Sequence, residues 1–383
     1  MPFTKTLMQN VDKRLHIICL DIPYPADYGG VFDLFYKIKA LHAAGIGIHL
    51  HCFEYGRKRR AELNQYCETV EYYPRNTGIS GLSLNLPYIV SSRNSRKLLE
   101  NLSNDHHPIL AEGIHCTYLL TDQRFQHRRV VLRLHNVEYL YYQQLAKTTP
   151  SLLKKIYYSI ESRLLYRYEK DIARKVAIVA VSQSDMQVYQ DEFGADKIVY
   201  LPVFLPYTDV LSQEGIGSYC LYHGNLSVAE NDKAATWLLR EIFREVDIPF
   251  VIAGKNPSRR LVKEVSAKGN CCLVANPTED ELQDLVVKAQ INVLPSFNST
   301  GIKLKLLNAL MNGRHCVVND AASAGMPVKN VCHVANTTEQ TIKLISELYN
   351  KPFDQADIDR RRTLLKNHYN TSVNTAELIR WIW

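Results

Sequence analysis

Short apolar runs alternate with helix-periodic stretches along the whole chain. LHIICLDI, from Leu15, is an apolar run closed by prolines. FDLFYKIKALHAAG, from Phe32, repeats its apolar positions at helical spacing and stops at a glycine, and GIHLHCFEY, from Gly47, is again strand-like. Strand, crossover helix and strand predict a βαβ start and a parallel sheet. HPILAEGI from His107, RRVVLRLHN from Arg128 and VAIVAVS from Val176 continue the strand series. The stretch SDMQVYQDEFG then predicts a helix with Ser184 as its N-cap and Gly194 as its stop. KIVYLPVFLP closes this half.

Periodicity lapses near Pro206 and resumes with YCLYHGNL, a strand followed by a glycine turn. A helix is expected from about Asn231 to Arg244. IPFVIAGKNPS, NCCLVANPT, QINVLPS and HCVVND are four further strand–turn units separated by helical patterns, and the tail from Asp357 to Trp383 reads as helix. The pattern therefore predicts an α/β chain of two Rossmann-like domains: residues 1–205, a linker at 206–215, a second domain at 216–360, and a helix at 361–383 returning to the first.

The segment Gln143–Arg174 is helical in pattern. It interleaves Lys147, Lys154, Lys155, Arg163, Arg167, Lys170 and Arg174 with Tyr157, Tyr158, Tyr166 and Tyr168. Two roles suit it: a surface helix packed by its Leu and Ile positions, or a basic helix lying on an anionic membrane. Charge sharpens the second. Net charge is +7 over 383 residues, and residues 1–205 hold 26 Lys/Arg against 20 Asp/Glu, hence +6, leaving 20 against 19 for the rest. The excess is a property of the first half, where RKRR at Arg57–Arg60 adds to it, but no nucleic-acid module accompanies it and no nucleic-acid partner is expected. Nine cysteines lie scattered without a Cys-x-x-Cys pair, which predicts reduced thiols and no zinc site. The apolar run Leu15–Leu20 is too short for a signal core or a membrane span, so a cytoplasmic protein, peripheral at most to the inner membrane, is expected.

Two places carry candidate chemistry. PYPADYGG ends in Gly29 and Gly30, a glycine turn after the first strand. PSFNSTGIKLKLLNALMNGRHCVVN, Pro295–Asn319, reads as strand end, glycine turn, helix and strand, with Lys303 and Lys305 at the helix start. Unpaired backbone N–H groups, the positive end of the helix dipole and two cations suit a diphosphate. Two strand–glycine turn–helix units far apart in one chain suggest two nucleotide-fold halves facing each other across a cleft.

These features in this order resemble the GT-B glycosyltransferases, most closely the retaining family-4 enzymes that build bacterial polysaccharides and glycans. The resemblance rests on the Gly-Gly turn, the segment RLHNVEYLYY at Arg133–Tyr142, YHGNLSVAEND, AGKNPS, ANPTEDEL and the Gly-x-Lys-x-Lys segment. It implies hexosyl transfer from a nucleoside diphosphate sugar to an acceptor hydroxyl, on a glycan or lipid-linked glycan, with retention. It implies His135 beside the transferred sugar as the catalytic candidate. Gly29, Gly30, Gly224, Asn225, Lys255, Thr300, Gly301, Lys303 and Lys305 are implied at the donor diphosphate and sugar, with Asn308 at the ribose. Asn231 is implied as a helix opener. No metal and no cofactor are expected. The chain departs from the family at two positions: Thr300 and Asn308 stand where relatives carry glutamates. That departure keeps two alternatives open, a nucleotide-sugar epimerase of the same fold and a degenerate GT-B partner or sugar-nucleotide-binding protein.

Overall fold

The computed structural model describes residues 13–26, 29–298 and 300–383. Part of the Tyr24–Gly30 turn, namely Asp27 and Tyr28, lies outside the described residues. The chain divides into two compact units. The first holds residues up to Val181, Met186–Phe204 and Thr371–Trp383; the second holds Ser182–Asp185 and Leu205–Asn370. The division thus falls at Phe204/Leu205 and Asn370/Thr371. The tail is two helices, Gln355–His368 and Thr371–Ile382, and only the second packs with the first unit.

The first unit is built on a seven-stranded sheet: β1 Arg14–Cys19, β2 Gly47–Glu54, β3 Thr69–Pro74, β4 Ile109–Glu112, β5 Val130–Leu134, β6 Ala177–Ala180 and β7 Ile198–Tyr200. Its order is β3-β2-β1-β4-β5-β6-β7, every pairing parallel. Alternate residues of β1 feed two cores. Ile18 joins the cluster on one face; Leu15, Ile17 and Cys19 join the other, where Leu378 and Ile382 of the last helix also pack. A parallel sheet covered on both faces explains why these strands read as continuous apolar runs. Strand β3, TVEYYP, carries no such run and only one fully buried residue, so periodicity did not announce it.

The second unit is built on β8 Cys220–His223, β9 Phe250–Gly254, β10 Cys271–Ala275, β11 Ile291–Val293, β12 His315–Val318 and β13 His333–Val334. Their order is β10-β9-β8-β11-β12-β13, again parallel. In both sheets the order reverses once, between β1 and β4 and between β8 and β11. Open parallel sheets bind ligands at the carboxyl edge beside such a reversal.

Several helix ends differ from the sequence expectation. The Gln143–Arg174 segment is two helices, Glu138–Thr148 and Leu152–Ile172, parted at Pro150, where a proline leaves the preceding residue extended. The helix Gln183–Phe193 starts a residue before Ser184, and it is the Ser182 hydroxyl that accepts from the Asp185 N–H at 3.3 Å. The helix expected from Asn231 begins at Ala229 behind Val228 and ends in a π turn at Leu238–Ile242. The Lys-rich helix runs Leu304–Asn312, so Lys303 stands just before it. All nine cysteines are free, as expected. Among the described residues no helix is long and apolar enough to cross a membrane.

The start of helix Glu138–Thr148 lacks a side-chain cap of its own. A fully buried carboxylate from the neighbouring helix takes that role. Glu169 Oε1 accepts from the Glu138 N–H at 3.0 Å and from the Tyr189 hydroxyl at 2.9 Å, and Oε2 accepts from the Tyr139 N–H at 2.9 Å. Glu169→Ala would leave these buried donors unsatisfied. It is expected to cost about 2–3 kcal/mol in urea-induced unfolding, with Glu169→Gln costing less; equal stability of wild type and the Ala variant would contradict this role.

Candidate functional site

In the first unit, the carboxyl ends of β4 and β5 carry Glu112 and, one residue past β5, His135. The His135 ring Nε2 lies 2.8 Å from Glu112 Oε2. Behind them, Lys37 sits fully buried, its Nζ 2.9 Å from Glu112 Oε2 and 2.9 Å from Asp33 Oδ2. Asp33 and Lys37 are one turn apart on helix Gly29–Ala43. The Arg133 guanidinium holds Asp33 through two bonds of 3.0 and 3.1 Å and donates to the carbonyls of Leu201 and Pro202. The Phe204 N–H donates to Asp33 at 2.8 Å. Two anions and two cations thus meet out of water in a nearly neutral cluster, and each charge is paired with one of opposite sign. That is the condition under which buried ions are tolerated.

Burial alone would raise both carboxyl pKa values. For Asp33, Arg133 and Lys37 outweigh that and hold the carboxyl well below its usual range. For Glu112, Lys37 and then His135 do the same. Asp33, Glu112 and His135 offer one ligand atom each within 4.8 Å of one another, the geometry of a metal candidate. The Lys37 ammonium already supplies the cation between the two carboxylates, so the arrangement is that of an ion network orienting an imidazole. A carboxylate can only accept, so Nε2 of neutral His135 carries the proton and Nδ1 is left as an acceptor.

In the second unit, the turn after β8 is shaped by two glycines. A Cβ on Gly254 would come within 1.9 Å of the Gly224 carbonyl, and one on Gly224 within 3.2 Å of the Asn231 amide. Only glycine lets the ends of β8 and β9 approach so closely. The Leu226 N–H donates to the Lys255 carbonyl at 2.8 Å, tying that turn to the one carrying Lys255, whose side chain is exposed. Asn231, expected as a cap, lies in the first turn and bridges instead: its Nδ2 donates to the Asn225 carbonyl at 3.0 Å, and its Oδ1 accepts from Lys305 Nζ at 3.2 Å. Asn225 folds its side chain onto Ser227.

Lys305 also reaches the Tyr222 hydroxyl at 3.2 Å and lies 4.6 Å from the ring centre. Burial pushes its pKa down to about 8; Glu230 opposes this and Lys303 adds to it. Lys303 turns the other way and donates to the Thr300 carbonyl at 2.7 Å. Its pKa too is lowered by burial, again against Glu230. The two lysines therefore take different directions, as their two-residue offset implied, yet Glu230 acts on both. Glu230 was not anticipated; it accepts from Ser296 Oγ at 2.5 Å and stands in the first turn of helix Ala229–Trp237, ahead of the start expected at Asn231.

The two departures from the family pattern behave differently. Thr300 donates both its N–H, at 2.9 Å, and its hydroxyl, at 3.0 Å, to Asn298 Oδ1. Asn308 accepts on Oδ1 from the Tyr207 hydroxyl at 2.7 Å and from Asn312 at 2.8 Å, which leaves its NH₂ to donate. Gly301 has φ +67°, a backbone that glycine alone adopts freely. Gly29 and Gly30 are the first two residues of helix Gly29–Ala43. The loop of ANPTEDEL is a capping box, Thr278 with Glu281, and Glu279 and Asp280 are first-turn carboxylates.

Residues 217–351 match the family model described as "Glycosyl transferases group 1". An uncharacterized 44.6 kDa protein in the cps region of Klebsiella pneumoniae is 28% identical over 337 residues, 82% of this chain and 84% of that protein. Sucrose-phosphate synthase from Thermosynechococcus elongatus superimposes with a TM-score of 0.68 at 14% identity, over 96% of this chain and 98% of that one. Anabaena HepE, solved with UDP and glucose, gives 0.63 at 11% identity, over 96% and 98%. Residues 217–351 thus form a glycosyl transferase group 1 domain, the fold is GT-B, and the chain is a glycosyltransferase.

Nitrogen-15 NMR of histidine-labelled protein should show His135 in the Nε2–H tautomer, with Glu112→Gln weakening that preference because an amide can donate as well as accept. A wild-type Nδ1–H tautomer would rule out the orienting role of Glu112.

Proposed function

We propose that this glycosyltransferase takes a nucleoside diphosphate sugar as donor and moves the sugar to a hydroxyl of a glycan or lipid-linked glycan, with retention and without a metal. The observation that carries the donor reading is the pair Lys303 and Lys305. They flank the start of the Leu304–Asn312 helix at the carboxyl edge of the second sheet. A diphosphate there would meet backbone N–H groups, the helix dipole and two poorly solvated cations, with Lys255 as a third cation on the neighbouring turn.

In the proposed step the bond between the anomeric carbon and the diphosphate oxygen breaks, and a bond from that carbon to the acceptor oxygen forms on the same face. The acceptor proton passes to the departing diphosphate oxygen, so no protein nucleophile is required. Lys303 and Lys305 stabilise the charge that grows on the leaving group. His135, its Nε2–H committed to Glu112, offers Nδ1 to a sugar hydroxyl. The Asn308 NH₂ is the proposed ribose donor, and Gly29, Gly30, Gly224 and Asn225 allow close backbone approach. UDP-sugars head the donor candidates because the similar HepE binds UDP. A relative from a cps region supports polysaccharide biosynthesis as the setting, and a cytoplasmic protein at an anionic membrane fits an acceptor that is lipid-linked.

Thermal melting with UDP-, GDP-, ADP-, CMP- and dTDP-compounds should single out one base by a clear rise in Tm. No shift with any of them would overturn the donor reading. Titration of the preferred nucleotide adds a second check. Lys305 holds its proton below about pH 8, and a bound diphosphate favours the protonated form. Affinity should therefore weaken as pH rises above that value. Lys305→Met should bind roughly 10- to 100-fold more weakly near neutrality, the worth of a charged hydrogen bond, and should lack the alkaline decline.

A further inference from the structure

We infer that the outer side of helix Leu152–Ile172, with the adjoining loop at residues 79–84, is a surface by which the protein docks on an anionic lipid bilayer. The inference extends the reading of a lipid-linked acceptor.

The helix places large apolar side chains in water. Leu152 is 71% exposed, Leu153 81%, Ile156 51% and Ile160 52%. Its inward positions, such as Leu165 and Tyr168, are buried in the core of the first unit, so the exposed residues are surplus to packing. Spacing puts Leu152, Ile156, Ile160, Arg163 and Arg167 on one stripe, apolar for three turns and then basic. Beside it, the loop exposes Ile79 (87%), Leu82 (59%) and Leu84 (95%). The loop is held to the helix: the Tyr88 N–H donates to Glu161 Oε2 at 2.8 Å, and Leu84 and Leu86 line the same hollow as Leu164 and Arg167. A contiguous apolar surface of this kind on a soluble unit marks a place that something covers.

Charge identifies what covers it. Lys147, Lys154, Lys155, Arg163 and Arg167 are exposed. Of the helix's three carboxylates, Glu161 and Glu169 are buried, spent on the backbone N–H groups of Tyr88 and of Glu138 and Tyr139, and Asp171, exposed at the far end, is paired with Lys175 at 2.6 Å. From Lys147 to Lys170 the exposed charge is therefore of one sign, and residues 76–86 carry no charge at all. Tyr157 and Tyr166, each 37% exposed, add amphipathic rings of the type that sit at headgroup level. Apolar residues that enter the acyl boundary, cations that meet anionic headgroups and tyrosines between them make a lipid-facing helix. A second copy of the chain fits worse: a two-fold interface would set this basic stripe against itself.

Flotation with phosphatidylcholine vesicles, with and without phosphatidylglycerol, tests the surface. Wild-type protein should bind the anionic vesicles and bind them less in high salt. The double variants Leu153→Ser/Ile156→Ser and Lys154→Glu/Lys155→Glu should each lose roughly tenfold or more in vesicle affinity, while keeping the wild-type Tm and its nucleotide shift. Absence of binding to anionic vesicles, or equal binding by the variants, would overturn the assignment. So would a lipid-free dimer in analytical ultracentrifugation that the apolar variant abolishes, since the surface would then join two copies. If the nucleotide panel gives no shift but vesicle binding follows this pattern, the docking surface stands and the donor reading alone falls.

Discussion

In a parallel sheet every strand arrives at the same edge, and that constraint decides where chemistry is possible in this protein. Both sheets here are wholly parallel. Apolar clusters cover both faces of the first sheet, and the polar groups of the candidate site stand at strand ends. The carboxyl ends of β4 and β5 bring Glu112 and His135 together although 22 residues separate β4 from the residue that follows β5. The carboxyl ends of β8 and β9 bring Gly224 against Gly254 in the same way. The reversals of strand order, at β1/β4 and β8/β11, open a gap between diverging loops at each of these edges.

Placing ions at such an edge has a cost. Asp33, Lys37, Glu112 and Arg133 are all within 1% of full burial, and an unpaired charge there would be strongly destabilising. The cluster offsets this by mutual pairing and by tying distant pieces of chain to one point: the first helix, β4, β5 and the segment from Leu201 to Phe204 all contribute a group. The same closure that fixes Glu112 also fixes the ring of His135. Lys305 is the counterpart in the second unit, but among the described residues no carboxylate is a hydrogen-bond partner. Its partners are a phenol and an amide. A cation kept short of full compensation is prepared for an anionic ligand, whereas Lys37, which is compensated, is prepared only to hold its neighbours.

The fold was largely legible because buried parallel strands are continuous apolar runs, and the sequence has eleven of them between Leu15 and Val318 in the expected order. The exceptions have physical reasons. β3 is an edge strand with half-buried side chains, and β13 is two residues long. Helix starts are hard to read where the cap is borrowed or missing, as before Ala229 and Leu304. Glu169 caps a helix that begins 31 residues before it, and Ser182 displaces the equally suitable Ser184. Of the site, the glycines and lysines were readable because glycine turns and helix-start cations leave a local signature. Glu112, Lys37, Asp33 and Glu230 were not, since their roles depend on partners far along the chain. The spacing of Asp33 and Lys37, one turn apart on a largely apolar helix, was a signal that could have exposed that pair.

The two missing glutamates are better understood through Glu230 than through the residues that replace them. Thr300 is folded onto Asn298 and cannot serve as an anion. Asn308 keeps a donor but has given its oxygen to Tyr207 and Asn312. Yet the region is not left without a carboxylate, because Glu230 arrives from the helix after β8 and opposes the loss of charge on both Lys303 and Lys305. Its attachment to Ser296 fixes it to the strand end that leads into the glycine turn. A carboxylate supplied from one loop or from its neighbour sets the same sign of field beside Lys303 and Lys305. It does not place the oxygens at the same sugar hydroxyls. On the proposed donor reading, the substitution bears on which sugar is held more than on whether a diphosphate can be.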